Sequence, residues 1–150
     1  MIIYLGADHR GFALKEEIEK FLRGEGYEVG DLGDEVYNAE DDFPYFSAPV
    51  AKKVSEDPIN SRGIVVCGSG VGVMIVANKF KGVRAATGMS PDHVHAARHD
   101  EDINVLALAA DFTDQETAKK MVTVFLTTPF GGDERYRRRL DEINSLEHNA

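Results

Sequence analysis

Apolar runs and amphipathic segments alternate along nearly the whole chain. "IIYLGAD" (2–8) runs without a charged residue up to Asp8 at its end and reads as a strand buried on both faces. "FALKEEIEKFLRGEG" (12–26) follows with Phe12, Leu14, Ile18, Phe21 and Leu22 at helical spacing and closes on glycines. "YEVGDLG" (27–33) reads as a second, short strand, and the acidic "DEVYNAEDDFPYF" (34–46) as a loop. "FSAPVAKKVSED" (46–57) has a helical pattern that Pro49 is expected to interrupt near its start. Next come "RGIVVCG" (62–68) as strand, "GVMIVANKF" (72–80) as helix and "GVRAATG" (82–88) as strand. "SPDHVHAARHD" (90–100) reads as a helix with Ser90 at the N-cap and Pro91 in the first turn, and "INVLALAA" (103–110) as a strand. "TDQETAKKMVTVFLTT" (113–128) is a helix whose Thr113 and Glu116 have capping-box spacing, and an extra helix begins near Glu134.

Strands joined by helices of this length pair in parallel, with helices covering both faces. The expected fold is α/β: a three-layer α/β/α sandwich around a five-stranded parallel Rossmann-like sheet, with an extra C-terminal helix. Residues 1–150 read as a single domain, a length at which roughly two-thirds of the unfolded chain's surface is buried on folding. Ligands of such sheets bind beyond the carboxyl ends of the strands. Asp8, His9 and Cys67 stand at those ends.

Composition narrows the function. Hydrophobic residues make up 43 % and charged residues 29 %, and no apolar run approaches the ~20 residues of a membrane span. The start lacks the basic flank and cleavage site of a signal peptide, so the expectation is a cytoplasmic protein with no membrane partner. A single cysteine forms no internal disulfide and no cysteine-rich zinc site. A net charge of −9 disfavours nucleic acid. A few local arginines can still reverse the field within one pocket, which makes "DERYRRRLDE" (133–142) conspicuous.

The chemistry concentrates in "CGSGVG" (67–72). Gly68, Gly70 and Gly72 permit sharp turns and close approach to a ligand, and the helix start behind them presents backbone N–H groups to an anion. Cys67 at the loop's entrance is either a small buried packing residue or a thiolate general base. The residues alone leave both readings open. P-loop, G-x-S-x-G and G-x-G-x-x-G signatures are missing. His95 and His99 share a helical face near His93, but without an H-E-x-x-H glutamate a solvated polar face is the simpler reading, and no metal is expected. Arg135 and Arg139 are four apart and can clamp a phosphate together, or else pair with Asp133, Glu134, Asp141 and Glu142.

Taken together and in order, "GADHRGFALK", "DDFPYF", "GIVVCGSGVGVMIVANKFKGVRAA", "NVLAL" and "GGDERYRRRLDEI" resemble the ribose-5-phosphate isomerase B family, which includes the galactose-6-phosphate isomerase subunits. The resemblance implies aldose–ketose isomerisation of a phosphorylated sugar, without metal or cofactor, in sites shared between the subunits of a homodimer, with a tetramer as a further assembly. It makes Cys67 the base that moves the C2 proton to C1, and the loop of Gly68, Ser69, Gly70, Val71 and Gly72 the stabiliser of a cis-enediolate. Asp8 and His9 match the family's sugar-contacting pair, and Arg135 and Arg139 its phosphate-binding arginines.

Several positions depart from that pattern. Where the family carries a ring-opening histidine followed by asparagine, "RHDEDIN" (98–104) has Asp100 and Glu101. His99 or Asp100 then becomes the candidate for moving the ring-opening proton, and Glu101 takes the asparagine's place at the sugar. Phe43 replaces the usual tyrosine before proline, Asp111 stands near a usual arginine, and Tyr136 replaces a histidine. The leading reading is interconversion of ribose 5-phosphate and ribulose 5-phosphate. The alternatives are the same chemistry on allose or galactose 6-phosphate, and a phosphosugar-binding protein with impaired turnover.

Overall fold

Each of the apolar runs becomes a parallel strand in the computed structural model, which describes residues 1–147. The strands are β1 (Ile2–Ala7), β2 (Glu28–Asp31), β3 (Ser61–Cys67), β4 (Ala85–Thr87) and β5 (Val105–Ala109). The helices are α1 (Phe12–Gly24), α2 (Pro44–Glu56), α3 (Val71–Ala77), α4 (Pro91–Glu101), α5 (Gln115–Thr127) and α6 (Glu134–Leu146). The sheet order is β2-β1-β3-β5-β4.

The helices cover both faces. Leu14, Ile18 and Leu22 of α1 pack with Val94 of α4 and Met121 and Phe125 of α5 against Leu5, Ile64 and Leu106. Val50 and Val54 of α2 join Val73 and Ala77 of α3 on the other face, against Val65, Val105 and Ala107. Because both faces are buried, strand residues of either parity are apolar, which is why the runs were continuous. α6 packs against α4 rather than against the sheet.

Three local expectations need correction. Thr113 is not the α5 cap: Asp114 is, its Oδ1 accepting the Thr117 N–H at 2.9 Å and its Oδ2 the Thr117 hydroxyl at 2.7 Å. A carboxylate caps while also countering the positive helix end. Pro49 does not interrupt α2, which starts earlier, on Pro44, and continues past it. Pro49 and Tyr45, whose carbonyl loses its N–H partner, are both on the exposed side of the helix. β4 is only three residues long, because Gly82 turns with φ +73° and the Arg84 N–H is taken by Asn104 Oδ1 at 2.8 Å.

From β1 the chain steps outward to β2, then returns across β1 to β3 and continues the other way. The loops leaving β1 and β3 therefore diverge, and a crevice opens between the carboxyl ends of those two strands.

Candidate active site

Cys67 is the last residue of β3, 5 % exposed, at that crevice. The Gly70 N–H donates to its Sγ at 3.2 Å. Gly70 reaches this position with φ +73°, a left-handed conformation that costs any side-chain-bearing residue energy. A Cβ there would also stand 3.1 Å from the Thr87 methyl. Ser69 is exposed at the loop tip, and its hydroxyl accepts the Val71 N–H at 3.3 Å. The Phe43 ring from the start of α2 closes over Gly72.

Asp8 and His9 follow β1. Asp8 is buried, and its Oδ1 accepts the N–H groups of Arg10 and Gly11, both at 3.0 Å, which shapes the turn into α1. His9 is tied to Asp41: ring Nδ1 and backbone N each lie on Asp41 Oδ1, at 2.7 and 2.9 Å. That hydrogen bond holds the imidazole's pKa above the ordinary 6.5, reinforced by the negative charges of Asp8 and Asp41 and opposed by desolvation. Next to it, the Arg10 guanidinium pairs with Asp111 from the loop after β5.

His99, Asp100 and Glu101 end α4 at the opposite edge of the sheet. β5 starts at Val105 beside Gly63 and finishes at Ala109 beside Cys67. Four residue steps at ~3.3 Å each separate the two levels by roughly 13 Å. The α4 terminus is fixed there by Arg98, which donates to Asp102 Oδ1 at 2.7 Å, to the Ile103 carbonyl at 2.5 Å and to the Thr128 carbonyl at 3.3 Å. His99 Nδ1 lies 2.7 Å from Asp100 Oδ1, and its ring meets the edge of Tyr136 at 5.7 Å between centroids. Hydrogen bonds from His99 and Tyr136 hold Asp100 below the ordinary carboxylate pKa. Glu101 is pushed the other way by desolvation and by Asp100, with Arg139 and His93 opposing. Adjacent carboxyls with diverging pKa values are suited to opposite proton-transfer roles.

Arg135 and Arg139 belong to this second group. The chain entering α6 is joined to α4 where the Gly131 N–H donates to the His99 carbonyl at 2.9 Å. Arg135 donates to the Tyr136 hydroxyl at 3.1 Å and stacks over that ring at 4.9 Å, and both arginines are exposed. The chain thus gathers Cys67, Gly68, Ser69, Gly70, Val71, Gly72, Asp8 and His9 at one edge of its sheet. It holds His99, Asp100, Glu101, Arg135 and Arg139 at the other.

Sequence reasoning missed Asp41 and Arg10 as site residues. Both lie in quoted motifs, "DDFPYF" and "GADHRGFALK", but their partners are 32 and 101 positions away and no local pattern reveals them. Among the described residues, the carboxylates of Glu16, Glu19 and Asp31 converge within 4.8 Å, as metal ligands can. Their positive charge is already supplied by Lys15, which pairs with Glu16 and Asp31.

Residues 3–143 match the family model described as Ribose/Galactose Isomerase. The chain belongs to the ribose/galactose isomerase family. By that membership it is an aldose–ketose isomerase. It is 40 % identical over 145 residues to the probable ribose-5-phosphate isomerase B of Mycoplasma genitalium, covering 97 % of this chain and 95 % of that one. It is 37 % identical over 146 residues to ribose-5-phosphate isomerase B of Escherichia coli, covering 97 % and 95 %. The crystal structure of the Mycoplasma genitalium enzyme with bound ribulose 5-phosphate superposes with a TM-score of 0.96 at 38 % identity, over 99 % of this chain and 97 % of that one. The ribose-5-phosphate isomerase B of Clostridium thermocellum gives a TM-score of 0.94 at 38 % identity, over 99 % of both chains.

Proposed function

We propose that this isomerase interconverts ribose 5-phosphate and ribulose 5-phosphate through a cis-enediolate, with Cys67 as the base. The observation that carries the reading is Cys67 Sγ at the carboxyl end of β3, with the Gly70 N–H 3.2 Å away, in a chain of this family. With the open-chain aldose in the crevice, the thiolate takes the proton from C2 and the released electron pair moves onto the C1 carbonyl oxygen. Return of the proton from the thiol to C1, with transfer of the C2 hydroxyl proton to the C1 oxygen, leaves a hydroxyl at C1 and the carbonyl at C2. Backbone N–H groups of the Gly68–Gly72 loop, fixed in advance, bind the enediolate more strongly than the starting carbonyl. Asp8 and His9 hold the sugar. No metal or cofactor enters these steps.

The remaining groups, His99 or Asp100 for opening the sugar ring, Glu101 at the sugar, and Arg135 and Arg139 for the phosphate, reach Cys67 only from a second copy of the chain. The reading is therefore a homodimer with shared sites. Val71, Ile75 and Met89, exposed on α3 and in the loop after β4, offer apolar surface beside the glycine loop for that partner. A lone reactive cysteine suits a reducing compartment, the cytoplasm. Among the described residues no helix is long and apolar enough to cross a membrane.

An isomerisation assay over ribose, allose and galactose phosphates tests the substrate. The highest kcat/KM is expected for ribose 5-phosphate, and a higher value for a six-carbon phosphate would replace it. Tight binding of an open-chain analogue with no turnover of any aldose phosphate would make the chain a binding protein instead.

A further inference from the structure

Five loops leave the carboxyl edge of the sheet: residues 8–11, 32–43, 68–70, 88–90 and 110–114. Arg10 is the one lysine or arginine in all of them, among numerous aspartates and glutamates. Among the charged side chains of these loops, only Arg10 and, when protonated, His9 attract a phosphate monoester. The Arg10 guanidinium lies across Gly68, the residue after Cys67: a Cβ on Gly68 would stand 2.5 Å from the guanidinium carbon and 2.7 Å from Asp111 Oδ2. Only a glycine lets the pair cross there. Asp111 is anchored beneath it, its N–H donating to the Gly68 carbonyl at 3.0 Å.

The two side chains are 59 % and 35 % exposed. A solvated ion pair of this kind has little net strength, and one carboxylate leaves most of the five guanidinium donors available to a second anion. We propose that Arg10 binds the phosphate of the substrate, and that Asp111 both holds the guanidinium over Gly68 and lowers affinity by competing for it. The proposal rests on the phosphosugar reading above and adds to it a residue that sets substrate affinity. Arg10 then works from the same protomer as Cys67, facing the Arg135 and Arg139 pair that the partner brings.

Titration calorimetry of the full-length protein with ribose 5-phosphate, and separately with inorganic phosphate, tests the assignment on wild type, Arg10→Met, Asp111→Asn and the double variant. Thermal melting confirms that each is folded. Arg10→Met is expected to weaken binding of both probes about tenfold or more, the loss of one charged hydrogen-bond set. Asp111→Asn is expected to tighten both, and to have no effect once Arg10 is gone. If Arg10 and Asp111 form only a strut between loops, the two single variants shift binding in the same direction, which overturns the proposal. So does Asp111→Asn tightening binding in the Arg10→Met background, because the aspartate then acts by plain repulsion. A wild type that isomerises ribose 5-phosphate while Arg10→Met binds it equally well removes Arg10 alone. A wild type that binds no ribose 5-phosphate removes the functional reading and this proposal together.

Discussion

His9 and Asp41 are joined twice through one oxygen: the backbone N–H and ring Nδ1 of His9 both meet Asp41 Oδ1, at 2.9 and 2.7 Å. The pair fixes the ring's rotation and fastens the long acidic loop to the turn after β1. It also favours the imidazolium.

The pH dependence follows from that bias. A histidine whose pKa is raised by folding contributes stability that is fully present below the unfolded value and is lost as pH rises through the folded one. For His9 the window opens at the ordinary value of 6.5 and extends above it. The Tm should fall across that window, and Asp41→Asn should flatten this part of the profile. Ribose 5-phosphate affinity should weaken over the same pH range in the wild type and less so in the variant.

Cys67→Ala removes the assigned base. A general base contributes about 10²- to 10⁴-fold, so kcat should fall by about that factor while the Tm changes little, since only a thiol is lost. Exchange of the substrate C2 proton with solvent should disappear in the same variant. In the wild type, saturating ribose 5-phosphate should slow iodoacetamide labelling of Cys67. Exchange at the wild-type rate in Cys67→Ala would assign the base elsewhere.

Gly70→Ala must adopt φ +73° and press its methyl towards Thr87, 3.1 Å away. Urea denaturation should register a loss of about 1–2 kcal/mol from the backbone alone. Gly24→Ala, in α1 with nothing within 4 Å, should be neutral or stabilising by about 0.4–1 kcal/mol.

The proposed sharing of sites between two subunits predicts complementation. Cys67→Ala and the double variant Arg135→Ala, Arg139→Ala should each be nearly inactive alone. After random subunit exchange, half the dimers carry one intact site of two, so activity should recover to about a quarter of wild type. A mixture as inactive as its parts would place both groups of residues in one protomer's site.

Lys15 is fully buried: desolvation pushes its pKa down, and the Asp31 and Glu16 carboxylates outweigh that and raise it. Lys15→Met leaves Asp31, only 21 % exposed, without its cation. Urea denaturation should show a loss of about 2 kcal/mol, below the usual cost of breaking a fully buried pair because Asp31 and Glu16 still reach water.

Much of the fold was legible because burial on two faces leaves a local record. "GIVVC" and "VLALA" are apolar at every position, and the spacing of Leu14, Ile18 and Leu22 marks the inner face of α1. Caps were read to within a residue: Ser90 accepts the His93 N–H as expected, while Thr113 lost its role to Asp114, since neighbouring hydroxyl and carboxylate side chains compete for the same N–H groups. The glycine loop was legible because Gly70 meets a local backbone requirement.

What the chain order and its patterns determined is therefore the set of strands and helices, the parallel sheet, and Cys67 at a strand end before a glycine turn. Tertiary structure alone decided that Arg10 meets Asp111 across Gly68, that Asp41 captures His9, and that Asp100 and Arg135 lie at the far edge of the sheet from Cys67. Periodicity reports which face of an element is buried, a property of neighbouring residues. Which side chains meet across 32 or 101 positions depends on strand order and on which end of the sheet each loop leaves, and these are set only when the whole sheet is packed.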